Sequence, residues 1–134
     1  MMGELRVLRL SAIDFAFDIL CAAVALGAGL AIHYMRGPAV RRPAWPIGLA
    51  HGVIGAAGLA ILIFALRRGL PPSAAGTTGF APAAAALLAL ALVFGLVLAY
   101  AAARRRRPAG LLVAIHASLA IAGFVVLWTV VSLG

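Results

Sequence analysis

Polar residues in this chain are gathered into short clusters. Between the clusters lie four apolar stretches, Ser11 to Tyr34, Pro46 to Leu66, Phe80 to Ala103 and Gly110 to Leu133. Each is close to the roughly 20 residues needed to cross a bilayer as a helix. The pattern predicts four membrane-spanning helices in a single transmembrane domain over residues 1–134, an all-α four-helix bundle built as two tandem helical hairpins. No soluble domain is left over, because the longest connection, Arg67 to Gly79, is a Pro, Gly, Ser and Thr loop without apolar periodicity. The first stretch is longer than the apolar core of a signal peptide and carries Asp14 and Asp18, so it reads as a permanent helix.

Composition supports the same picture and removes some function classes. Hydrophobic residues make up 66% of the chain and charged residues 10%, against about 25% charged in soluble globular proteins. The net charge of +8 comes from arginines beside the apolar stretches, where they anchor and orient helices; nucleic acid is not an expected partner. Cys21 is the single cysteine, which excludes a disulfide framework and a covalent haem attachment of the Cys-x-x-Cys-His type.

With four crossings, Arg36, Arg41, Arg42 and Arg104 to Arg107 fall on one side, and Arg6, Arg9, Arg67 and Arg68 on the other. The bias places both short loops in the cytoplasm and both termini in the periplasm of a bacterial inner membrane, although Arg6 and Arg9 flank the first helix and pull the other way.

The residues that invite chemistry are His51 and His116. Both lie a few residues inside an apolar stretch and on the same side of the membrane, and each is followed by a small residue at the fourth place and a glycine at the seventh. These are Gly55 and Gly58 after His51, and Ala120 and Gly123 after His116. At about 1.5 Å of rise per residue, both imidazoles start roughly 8 to 9 Å below their helix ends, and the small residues lie deeper on the same face. Parallel halves related by an axis along the membrane normal would bring the two rings face to face. A neutral imidazole in lipid costs free energy unless bonded, so two at one depth call for a shared centre. The pattern suits haem ligation, another metal, or a pair bonded to polar partners or substrate. Repeated small residues are also the ordinary means of close helix packing in membranes.

His33, three residues before Arg36, is a further candidate axial ligand, a partner for a haem propionate, or an interfacial residue. Asp14 and Asp18 stand one helical turn apart at the opposite end of the bundle; they are candidates for a structural ion pair with Arg6, Arg9, Arg67 or Arg68, or for proton handling.

With their spacing, His51 and His116 resemble four-helix membrane cytochromes of the b type, including the haem-bearing anchor subunits of respiratory enzymes. The resemblance covers the second and fourth helices. It implies one haem b between the two histidines, and electron transfer between a quinone or redox partner and a larger membrane complex, without catalytic chemistry of the subunit's own. A two-haem member would show a second His pair near the opposite face, and this chain has none. Two other readings remain open: a cofactor-free accessory subunit or homo-oligomer, and a proton-coupled transporter similar to the small multidrug resistance family, with Asp14 or Asp18 in place of that family's Glu.

Overall fold

The computed structural model describes residues 2–36, 45–68, 79–104 and 110–133. They form four helices, α1 (Met2–Met35), α2 (Trp45–Arg67), α3 (Phe80–Ala103) and α4 (Gly110–Leu133), each long and apolar enough to cross a membrane. The protein is an integral membrane four-helix bundle. The arginines at 41, 42 and 105–107 and the side chains of Arg6 and Arg9 lie outside the described set.

The helix limits follow local chemistry. Pro46 and Pro82 sit in the first turns of α2 and α3, where a missing N–H costs nothing because no carbonyl precedes it to accept. At the other ends, backbone N–H groups of Arg36, Arg68 and Arg104 donate to Ile32, Ala65 and Tyr100 carbonyls at 3.1–3.2 Å and close the last turns. The Arg68 guanidinium lies 4.2 Å over the Phe64 ring and that of Arg104 5.2 Å over Tyr100, so each charge is held at its helix end by an aromatic. The sequence places the start of the first helix at residue 11; α1 instead begins at Met2, while its membrane-crossing part, Ala12–Met35, agrees with the apolar pattern. The segment preceding the span is rich in Leu and Arg, both good helix formers, and simply extends the helix.

Each first helix packs along its own second helix, α1 on α2 and α3 on α4, and the hairpins meet more lightly through α2 with α3 and α1 with α4. The packing is duplicated. On the first helices, Ala16, Leu20, Ala23 and Gly27 correspond to Ala84, Leu88, Ala91 and Gly95, a constant offset of 68 (16 to 84, 27 to 95). On the second helices the offset is 65 (51 to 116, 58 to 123), because the connection inside the second hairpin is three residues shorter. Leu20 lies against Gly58, where an added Cβ would stand 2.8 Å from its Cγ, and Leu88 lies against Gly123, where the distance would be 2.9 Å. These glycines let the paired backbones approach, the role small residues commonly play between membrane helices.

Buried side chains occupy one half of the bundle only. Ile13 to Ala23, Gly58 to Ala65, Ala81 to Ala91 and Gly123 to Val130 bracket all the buried positions among the described residues. Leu62 and Leu127 are fully enclosed at the centre of this packed half, and the Phe17 and Phe124 rings stack at 5.2 Å where α1 meets α4. Beyond Ala23 and Ala91 the described inner-face residues are half-buried and none reaches full burial.

Leu62→Ala and Leu127→Ala should each lower the stability of the bundle by roughly 2 kcal/mol, the low end of the aqueous range because lipid is as apolar as the cavity left behind. Leu96→Ala, at a position 62% exposed, should change it by less than about 0.5 kcal/mol. Unfolding titrations in detergent check both, and equal losses at all three positions would contradict this packing.

Candidate functional site

At the edge of the packed half, two side chains leave their helices to bond the neighbouring helix. His51 on α2 donates Nδ1–H to the carbonyl of Ala23 on α1 at 2.8 Å. His116 on α4 does the same to Ala91 on α3, also at 2.8 Å. A carbonyl oxygen only accepts, so Nδ1 carries a proton in both rings, and in the neutral form of each ring that leaves the lone pair on Nε2. Among the described residues Nε2 of either ring has no hydrogen-bond partner.

The two rings converge across the bundle. Their centroids are 5.9 Å apart and their planes stand at 85°. Because each histidine is fixed by its own hairpin, the convergence follows from docking one hairpin on the other about the pseudo-two-fold axis, as the sequence repeat predicts. The depth along the histidines' own helices is the one expected from the sequence. Along α2 and α4 the imidazoles lie six residues from the helix starts, yet the carbonyls they bond belong to helices that continue for twelve residues more, to Met35 and Ala103. At about 1.5 Å per residue that is roughly 18 Å of helix beyond the bonded carbonyl, so α1 and α3 form a collar above the pair.

Of the small residues that follow the histidines on the same face, Gly55 and Ala120 are half-buried near the His level, and a Cβ on Gly55 would touch only Ala23 Cβ, at 3.8 Å. Gly58 and Gly123 serve another purpose. They lie in the packed half against Leu20 and Leu88 and do not extend a trough from the histidines, because the second glycine of each motif falls where the hairpins are most tightly closed. His33 stands apart from the pair, half-buried near the end of α1 with its ring edge-on to Tyr34 at 5.9 Å. No cluster of three or more His, Cys, Asp or Glu side chains suited to a metal occurs among the described residues.

Asp14 and Asp18 are exposed on the outer face of α1, opposite the stripe of Ile13, Ala16, Leu20 and Ala23 that faces the bundle. They do not approach the His pair. The corresponding positions on α3 are Pro82 and Ala86, and further along the same two faces Ala22, Ala25 and Gly29 stand against Leu90, Val93 and Val97, all exposed. Cys21 on α1 is half-buried and forms no disulfide. A shallow cavity of about 310 Å³ lies at the far end of α4, lined by Val125, Trp128, Thr129, Ser132 and Leu133, away from the histidines.

Gly27 and Gly95 are site residues that the His spacing alone does not reveal. A Cβ on Gly27 would stand 2.9 Å from His51 Cε1, and one on Gly95 3.0 Å from His116 Cε1. The signal was present as a second repeat, Leu20-x-x-Ala23-x-x-x-Gly27 and Leu88-x-x-Ala91-x-x-x-Gly95, hidden by its different offset.

No protein-family model, curated protein or solved structure matches the chain. Its chemistry is therefore read from the site itself. In protein carrying ¹⁵N-labelled histidine, His51 and His116 should both show the Nδ1–H tautomer by nitrogen chemical shift. An Nε2–H signature at either would mean that its ring does not bond the facing carbonyl.

Proposed function

We propose that the protein is an electron-transfer subunit resembling b-type cytochromes, which holds one haem between His51 and His116. The observation that carries this reading is the pair of imidazoles at 5.9 Å whose Nδ1 protons are already engaged by carbonyls. Metal-ligating histidines usually donate their other ring N–H to a carbonyl or carboxylate, which orients the ring and raises the basicity of the ligating nitrogen. Two nitrogens each about 2 Å from a shared metal place the ring centroids roughly 6 Å apart, so the separation suits two ligands of one ion. Perpendicular ring planes are no obstacle, since each ring turns about its own metal–nitrogen bond.

The residues fit such a group in other ways too. The less deeply buried half of the bundle begins at the His layer, where Gly55 and Ala120 keep side-chain bulk low beside the rings. When bound, haem supplies a one-electron redox couple whose potential responds to axial ligands and burial. The chain's part is to present two imidazoles, to exclude lipid from between the hairpins, and to leave catalysis to a quinone-linked or other redox partner in a larger membrane complex.

A second reading keeps the histidines as cofactor-free ties within each hairpin, the arrangement of an accessory subunit. The carbonyl bonds alone favour it. The approach of the two rings to 5.9 Å favours haem, because a tie within a hairpin has no need to lie beside its counterpart in the other. Proton-coupled export is the least supported reading, since both carboxyls of α1 point away from the bundle interior.

Protein purified from haem-replete cells should show sharp α and β bands on dithionite reduction. His51→Ala and His116→Ala should each abolish that low-spin spectrum, and His33→Ala should leave haem content unchanged. Iron-free wild-type protein without a Soret band would sink the proposal.

A further inference from the structure

The close approach of each glycine to an imidazole has a cause in helix geometry. The carbonyl of residue i already accepts the N–H of residue i+4. A donor from another helix must reach the second lone pair, and the path runs beside the side chain at i+4, whose Cβ leans back towards the helix N-terminus. Gly27 stands four residues after Ala23, and Gly95 four after Ala91. A Cβ at either glycine would also come within 3.3 Å of the bonded Nδ1, and the obstructing atoms belong to a rigid ring and not to a flexible tip. Gly29 and Gly52, close by in the same hairpin, have nothing within 4 Å of an added Cβ.

We propose that Gly27 and Gly95 are the positioning residues of the His pair: each opens one helix carbonyl to one imidazole, which fixes the proton on Nδ1, leaves Nε2 free to act as an acceptor or ligand, and sets the ring beside its counterpart in the other hairpin. Carbonyl, glycine and histidine thus make a half-site, Ala23, Gly27 and His51 in one hairpin and Ala91, Gly95 and His116 in the other. The two half-sites are equivalent and independent, so damage to one leaves the other intact. The proposal rests on the haem reading only for what the Nε2 lone pairs hold, and its tautomeric part stands without a ligand.

The test uses full-length, ligand-free protein with ¹⁵N-labelled histidine in lipid nanodiscs. Gly27→Ala should remove the Nδ1–H signature of His51 and leave that of His116; Gly95→Ala should do the reverse; Gly29→Ala should leave both. Titration with hemin should then show a low-spin spectrum for wild type and Gly29→Ala. The Gly27→Ala and Gly95→Ala proteins should bind about 10- to 100-fold more weakly, as on loss of a group that orients a metal ligand, with a high-spin spectrum that added imidazole restores. Unchanged tautomers in both single variants would overturn the proposal. Changed tautomers with no hemin uptake by wild type would uphold the positioning role and remove the haem reading. Should Gly27→Ala not fold, combining it with His51→Ala removes the colliding ring and must recover the folding of His51→Ala alone; failure of the double variant also overturns the proposal.

Discussion

An imidazole inside a bilayer must find a partner for its N–H, and in an apolar bundle the only acceptors at hand are helix carbonyls. The magnitudes show how this shapes the protein. An interhelical hydrogen bond in a membrane contributes on average only about 0.6 kcal/mol, whereas a polar group left unsatisfied in hydrocarbon costs several times that. The bonds from His51 to Ala23 and from His116 to Ala91 therefore do little to hold the hairpins together. Their force is restrictive: they allow one register of α2 against α1 and one of α4 against α3, and they place a glycine where any other residue would collide.

Around that requirement the bundle divides its work. The packed half, centred on Leu62 and Leu127, supplies close contact and the Leu20–Gly58 and Leu88–Gly123 fits that bring paired helices together. The half beyond the histidines leaves its inner faces incompletely covered, and there the first helices run on past the pair. The packed half thus holds the two imidazoles in place at its edge, on helices whose relative register it sets.

Much of this was legible in the chain. Four apolar stretches near bilayer length fixed the number and limits of the crossings, apart from the start of α1, where helix-forming Leu and Arg carry the helix outside the membrane and hydropathy says nothing. The 65-residue repeat of His51 and His116 correctly implied convergence, because equal depth on parallel helices leaves little freedom. The glycines were harder to place. Gly58 and Gly123 follow the histidines at a suggestive spacing, but a small residue looks the same whether it makes way for a ligand or for a leucine, and only the partner helix decides. Gly27 and Gly95 act on a ring that another helix brings to them, so their role appears only once the pairing of helices is known.

The outer surfaces of α1 and α3 do not share the symmetry of their inner ones. Leu20, Ala23 and Gly27 recur as Leu88, Ala91 and Gly95, whereas Asp14, Asp18, Ala22, Ala25 and Gly29 face outward where the other hairpin shows Pro82, Ala86, Leu90, Val93 and Val97. Seen from the pair of rings, the two hairpins are interchangeable; seen from the plane of the bilayer, they are not. A lateral neighbour, lipid included, meets an acidic, small-residue flank on one hairpin and a greasy one on the other, so the molecule has a front and a back although its centre has neither.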